Sequence, residues 1–191
     1  PSLGQGDCIL VEFPKGGCLL VDGAERFDTS QRAPELVRLL LRKGITRVDA
    51  IVNTHPQSDH IGCLPEVLEH FPVGVVYHCG ASGQGEAVRS FEEAMEREGC
   101  EVLPVRRGQI IEGFPGAKIE ILCPNPDYLA YSQLDVNYHS VVLRIEYGDF
   151  SCLLTGDIPA EVEQELVAEN LVVKKSTIGG LFLIKRCTNC M

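Results

Sequence analysis

The chain has 191 residues, which suits one large domain or at most two small ones, and its 27 Asp and Glu against 17 Lys and Arg leave a formal net charge of −10. Affinity for a polyphosphate backbone comes largely from Lys and Arg releasing counterions, so this balance excludes gripping of nucleic acid by a broad basic surface. Hydrophobic residues at 45% and charged residues at 23% are ordinary globular values, which exclude disordered and fibrous classes.

Two short apolar runs open the chain, Cys8 to Phe13 and Cys18 to Asp22, and Pro14-Lys15-Gly16-Gly17 between them predicts a hairpin. The segment from Pro34 to Lys43 predicts a helix: Leu36, Val37, Leu39, Leu40 and Leu41 make a broad apolar face, Pro34 suits a first turn, and Gly44 suits a cap. A strand follows from Val48 to Asn53, a helix from Leu64 to Phe71 and a strand from Val73 to Cys79. The next helix runs from Glu86 to Glu98, amphipathic through Val88, Phe91, Ala94 and Met95, and stops at Gly99. Further strands are predicted over Glu101 to Val105, Lys118 to Cys123, Ser140 to Tyr147 and Phe150 to Leu154, the last two joined at Gly148-Asp149, with a helix from Pro159 to about Glu169. Hairpin-joined strands thus mix with helix-joined ones, and mixed sheets with helical cover are expected.

Apolar runs such as Val73 to Tyr77 fall far short of the roughly 20 residues that span a bilayer. No basic and apolar leader is legible after Pro1, and the chain reads as an excised domain. Of nine cysteines, most lie in apolar runs and read as reduced core thiols. Cys187 and Cys190 form a single CxxC, which lacks the second pair of a structural zinc site. His70, late in a helix, and His78, after a strand, are given structural roles. Arg106-Arg107 reads as a solvated turn that could contact phosphate only as a secondary role.

The chemistry is concentrated in Thr54-His55-Pro56-Gln57-Ser58-Asp59-His60-Ile61-Gly62, where the strand from Val48 ends. Ligands bind at strand ends in α/β architectures. Two imidazoles and a carboxylate in a Pro-containing loop that does not propagate a helix are placed to converge on a metal centre, and borderline divalent metals accept both ligand types. Asp157, in Leu154-Thr155-Gly156-Asp157 after another apolar strand, is a fourth ligand able to bridge two ions. Histidines at one chosen spacing are common by chance. The Asp directly before the second His, the strand-end position and the second strand-end Gly-Asp are what carry the reading.

At these residues the chain resembles the metallo-β-lactamase fold superfamily, whose signature is HxHxDH followed later by a His and a strand-end Asp. Within it the chain is similar to the C-terminal domain of the ComEC family of DNA-uptake proteins. The likeness is carried by Gly4-Gln5-Gly6-Asp7, Val21-Asp22-Gly23, Thr54-His55-Pro56 with Asp59-His60-Ile61-Gly62, Asn137-Tyr138-His139-Ser140 and Leu153-Leu154-Thr155-Gly156-Asp157, in order over residues 4 to 157.

The resemblance implies an α/β (α+β) chain folded as a four-layer αββα sandwich with mixed sheets and metals at one edge. The implied activity is hydrolysis of a DNA phosphodiester, a nuclease step of DNA uptake in natural competence. His55, Asp59, His60 and Asp157 match ligand positions, and His139 is a further ligand or a donor behind one. Asp59 also takes the catalytic role of orienting the attacking water, and Asn137 and Ser140 take substrate contacts. Two divalent sites are implied. The implied partners are DNA and the remainder of a membrane channel protein, which would tether the domain to the bacterial cell membrane.

Two departures qualify the likeness. Gln57 stands at the second histidine of HxHxDH, and an amide oxygen is a poorer zinc ligand than an imidazole, so Mn²⁺ ranks first, with Zn²⁺ and Mg²⁺ behind it, and one or both sites are open to being empty. No histidine follows His139, where relatives supply a final ligand. Residues 1–173 are therefore expected to form the metallo-β-lactamase-like domain without its natural C-terminal part, and residues 174–191 a divergent or artefactual tail. Two alternatives stay open: a catalytically weakened domain that binds DNA or partners, and a hydrolase of a small ester or lactam.

Overall fold

A computed structural model describes residues 6–26, 33–129, 135–172 and 181–184. The first strands, β1 (Ile9–Glu12) and β2 (Cys18–Val21), pair antiparallel, with Gly16 N–H donating to the Phe13 carbonyl at 2.9 Å in the turn. Helix α1 (Ala33–Arg42) leads to β3 (Val48–Asn53), a single turn α2 (Ser58–Ile61), α3 (Leu64–His70), β4 (Val73–His78), α4 (Glu86–Glu98) and β5 (Glu101–Pro104). Strands β2 to β5 are all parallel, and the first sheet has the order β1-β2-β3-β4-β5.

The second half contributes β6 (Ile110–Ile111), β7 (Ala117–Cys123), a short helix α5 (Pro126–Leu129), a 3₁₀ turn (Val136–His139), β8 (Val142–Tyr147), β9 (Phe150–Leu154), α6 (Ala160–Ala168) and β10 (Leu181–Ile184). Its order is β10-β9-β8-β7-β6, antiparallel except for β10 on β9. Both sheets have five strands, and each is mixed.

Alternation of side chains along the strands builds the layers. In β2, Leu20 faces α1, α3 and α4 together with Leu36, Leu40, Leu64, Val67 and Phe91. Leu19 and Val21 point the other way and meet Ile119, Ile121, Leu143, Ile145 and Leu154 of the second sheet. On the far side of that sheet, Leu122, Val142 and Leu153 pack under Val162 and Leu166 of α6. Four layers result, helices on each outside and two sheets within, as expected. Strand β3 is apolar almost without interruption because, as a central parallel strand, it is covered on both faces.

The elements differ from the sequence expectation in definite places. The loop after β3, expected not to propagate a helix, contains the turn α2: Pro56 is followed by Ser58–Ile61, and the His60 and Ile61 N–H groups both donate to the Gln57 carbonyl. The strand expected from Ser140 begins at Val142, because Asp135 caps a 3₁₀ turn by accepting from Asn137 N–H at 3.0 Å. Strands β6 and β10 and helix α5 are too short to leave a periodic signal. Leu181–Ile184, within the segment expected to diverge, form an edge strand; the rest of 174–191, with Cys187 and Cys190, lies outside the described residues. The seven other cysteines are free thiols, five of them buried. No helix among the described residues is long and apolar enough to cross a membrane.

Candidate metal centre

The C-terminal ends of β2 and β3 open at one edge of the sandwich, and the turn α2, the 3₁₀ turn and the end of β9 come to the same edge. The two sheets are stitched there by Val141 N–H, which donates to the Thr54 carbonyl at 2.9 Å. Immediately after β2, Asp22 adopts a left-handed backbone with φ of 58°, which a short polar side chain tolerates. Its carboxylate is fully buried and accepts from Thr54 N–H at 2.8 Å, from the Thr54 hydroxyl at 2.7 Å and from His60 Nδ1 at 2.7 Å. Burial of an unpartnered carboxylate would be costly, and these donors offset that cost.

Since the Asp22 carboxylate accepts, His60 carries its proton at Nδ1 and turns Nε2 into the site. That nitrogen is buried with no hydrogen-bond partner among the described residues. It faces Asp157 Oδ2 at 3.6 Å and Asp59 Oδ2 at 3.8 Å. Both distances exceed a hydrogen bond. They are near the separation of two ligand atoms that each lie about 2.0–2.2 Å from a shared ion. Burial pushes the His60 imidazole down, but the Asp157 and Asp22 carboxylates and the charge of Asp59 outweigh it and raise it to about 10. The carboxylates around Nε2 favour a positive charge at this place, which a second proton or a divalent ion can supply.

His55 is fully buried beside it, with the two rings 4.1 Å apart between centroids. Burial and the charge of His60 push its imidazole down, so it stays neutral, as a metal ligand must. Its Nδ1 lies 3.0 Å from the Thr54 hydroxyl and 3.2 Å from that of Ser140, and its Nε2 lies 3.1 Å from Gln57 Oε1. One ring nitrogen of His55, one of His60 and an Asp157 oxygen fall within 4.8 Å of one another. Ligand atoms of Asp7, Asp22 and His60 form a second such group, but the oxygens of Asp22 are taken by Thr54 and His60, which makes it an orienting carboxylate. The residues present therefore fit a metal ion.

Of the residues expected at the site, His55, Asp59, His60 and Asp157 come together, and Ser140 touches His55. His139 does not join the group. It is buried, its Nδ1 has no partner among the described residues, and burial together with the charge of Arg106 holds its imidazole below the ordinary range. Asn137 lies on the same 3₁₀ turn, with its Oδ1 buried and without a partner among the described residues. His70 donates to the Glu66 carbonyl at 2.8 Å, and His78 accepts from Gly80 N–H at 3.2 Å, both within the scaffold. Sequence reasoning passed over Asp22 and Thr54 as site residues. The legible signal was Asp22 itself, a carboxylate closing a wholly apolar strand. A cleft of about 580 Å³, lined in part by Asn53, Pro56, His78, Gly80 and Phe91, opens beside the same loop.

The expected turn forms at Arg106-Arg107, closed by Gln109 N–H donating to the Arg106 carbonyl at 3.2 Å, but its side chains are half-buried and not solvated. Arg107 pins α6 to the second sheet through Glu165 at 2.7 Å, Glu169 at 2.8 Å and the Leu122 carbonyl at 2.9 Å.

Residues 1–122 match the metallo-beta-lactamase superfamily. Over 180 residues the chain is 30% identical to ComE operon protein 3 of Bacillus subtilis (strain 168), an alignment covering 87% of this chain and 22% of that protein. It is 29% identical over 169 residues to competence protein ComA of Neisseria gonorrhoeae, covering 87% of this chain and 20% of the relative. The chain thus spans about a fifth of the length of these competence proteins. Among solved structures, CmlA, a diiron beta-hydroxylase from Streptomyces venezuelae, superposes with a TM-score of 0.54 at 18% identity over 94% of this chain and 32% of CmlA, which shows a shared fold.

Proposed function

The chain belongs to the metallo-beta-lactamase superfamily, and from that premise we propose that it is a metal-dependent hydrolase domain that cleaves a DNA phosphodiester during DNA uptake, as part of a longer membrane-tethered protein. The observation that carries the hydrolytic centre is the buried His60 Nε2, without a hydrogen-bond partner among the described residues and facing the Asp157 and Asp59 carboxylates. The choice of DNA rests on similarity to competence proteins over 87% of the chain.

His55, Asp59, His60 and Asp157 would hold the ion, with Gln57 beside His55. A divalent ion bound there supplies Lewis acidity to a phosphoryl oxygen and makes water acidic enough to attack near neutral pH. Asp22 fixes the His60 ring through Nδ1 and keeps Nε2 directed into the site. Thr54 donates to Asp22 through both its N–H and its hydroxyl, which locks the end of β2 to the end of β3. Asp59 accepts the proton of the attacking water and orients it. Ser140 and Asn137, at the start of the second sheet's contribution, contact the substrate. Nitrogen and oxygen donors without thiolate suit Mn²⁺ first, with Zn²⁺ and Mg²⁺ behind it.

The test is elemental analysis together with cleavage of linear DNA in Mn²⁺. About one divalent ion per chain at this cluster and cleavage that disappears in Asp59→Ala are expected. Gln57 in place of a second histidine favours one alternative, a weakened domain, which would bind DNA without metal uptake or cleavage. Turnover of a small ester or lactam with DNA intact would replace the substrate and leave the hydrolase.

A further inference from the structure

Helix α4 carries two carboxylates that the scaffold does not use. Val88, Phe91 and Ala94 of this helix are buried against the first sheet, while Glu92 and Glu96 stand exposed one turn apart. Arg97 pairs with Glu69 at 3.1 Å and Glu98 accepts from Val73 N–H at 3.0 Å, both tying α4 to its neighbours. Among the described residues neither Glu92 nor Glu96 has an ion pair or a hydrogen bond. Like charges four residues apart on a helix repel, so the pair weakens α4 in the protein alone.

Both carboxylates line the cleft of about 580 Å³, whose apolar floor includes Phe91 and Met95 of α4 and Val102 of β5. Strand β5 is the last of its sheet and pairs with β4 alone. Val102 is level with Val76, which is fully buried on the face that α4 covers. Val102 itself is 39% exposed, because no strand among the described residues lies beyond it. All four residues of β5 are exposed. The cleft therefore has a helix for one wall, an open strand edge for the other, and an acidic rim.

Unpaired backbone groups along an edge are a template for another strand, and strand addition is one way in which folded domains take extended peptides. The spacing fits such an occupant. Glu92 and Glu96 are separated by roughly 6 Å along the helix, and alternate side chains of a strand by roughly 6.6 Å. Two basic residues at alternate positions of an added strand match the two carboxylates. Glu101, exposed at the start of β5, adds a third negative charge, and Pro104, without an N–H, closes the edge at its end. These charges repel a phosphate backbone and a second copy of an acidic chain alike.

We propose that the cleft between α4 and β5 docks an extended, basic segment of a partner protein, added as a short strand to β5. Two Lys or Arg at alternate positions meet Glu92 and Glu96, and an apolar residue at the next alternate position covers Met95 and Val102.

The experiment titrates a fluorescein-labelled peptide, Ser-Arg-Thr-Arg-Thr-Val-Ser, by anisotropy at low salt. Glu92→Gln/Glu96→Gln is compared with Glu93→Gln/Glu161→Gln, which removes two exposed carboxylates from outside the cleft. The dissociation constant is expected to rise about fivefold in the first variant, the worth of two exposed ion pairs, and to stay level in the second. A peptide with Glu for both Arg should not bind, which tests the charge without altering the protein. Two further peptides are N-methylated, one at both Thr and one at the second Arg and the Val. Only one of these alternate sets faces β5, so one peptide should bind about tenfold more weakly and the other as before. No saturable binding of the arginine peptide, equal binding by the two variants, binding of the Glu peptide, or N-methylated peptides that behave alike would overturn the docking site. A labelled oligothymidylate, titrated separately in chelator, should bind both variants equally; tighter binding by Glu92→Gln/Glu96→Gln would assign the cleft to nucleic acid and overturn it as well.

Discussion

At the scale of single residues, the centre depends on a carboxylate that is not itself placed to ligate. Asp22 is wholly buried, sits in a left-handed backbone and is saturated by Thr54 and His60. Its charge fixes which nitrogen of His60 is protonated, and hence which one faces Asp157 and Asp59. Asp22→Asn keeps the shape but frees Nδ1 of a charged partner, and an amide can present a donor to the ring as readily as an acceptor. Metal affinity in that variant is expected to fall about 10–100-fold, read by titration against a competing chelator. Unchanged affinity would remove Asp22 from the centre. Little of this was legible in advance: His55, Asp59, His60 and Asp157 announce themselves by type and spacing, whereas Asp22 precedes His60 by 38 residues and meets it only through the pairing of β2 with β3.

At the scale of elements, the turn α2 is held in place by close backbone approaches that only glycine permits. Gly6, with φ of 103°, lies so near the Asp59 carbonyl that an added Cβ would stand 1.8 Å from its oxygen. Gly62 is packed as tightly, its Cβ position 2.4 Å from Arg26 N and 2.8 Å from the Ala24 carbonyl. The N–H of Gly23 donates to the His60 carbonyl from the other side. Gly6→Ala is therefore expected to push α2 and Asp59 out of register. It should cost about 1–3 kcal/mol in denaturant unfolding, as overpacking does, and should lower metal content with it. A variant with full stability and metal would show that the segment yields without cost. The hydrophobic pattern announced α1, α3, α4 and the long strands, because a face that must be buried over several turns repeats. It could not announce α2, whose single turn is made by hydrogen bonds to the Gln57 carbonyl and by packing against the loop after β2.

At the scale of the whole molecule, acidity and pH act through the same cluster. With the metal chelated, His60 has its proton affinity raised to about 10 from an ordinary 6.5. A pKa raised on folding contributes stability that is complete below the unfolded value and is lost as pH rises through the folded one. The metal-free protein is thus expected to melt progressively lower between about pH 6.5 and 10. Metal binding removes the Nε2 proton, so affinity for the ion should rise with pH over the same window and the loaded protein should lack that decline. Thermal melts with and without chelator check both signs; parallel curves would place the raised proton affinity elsewhere. The charge of −10 also takes on a definite meaning, since Asp59 and Asp157 belong to the proposed ligand set and their charge is balanced when an ion is bound. An acidic chain can cut a polyanion at such a point while having little general affinity for it.

The sequence by itself determined the class of fold, the order of the principal helices and strands, and the loop from Thr54 to Gly62 as the candidate metal loop, because these follow from local periodicity and from residue types brought close along the chain. Only the tertiary structure decided that Asp22 and Thr54 orient the site, that His139 stands outside the cluster of His55, His60 and Asp157, and that Arg107 is a strap for α6. Those outcomes turn on which strand ends lie level across a sheet and which side chains share a buried edge. That is a property of register between distant segments, which no window along the chain contains.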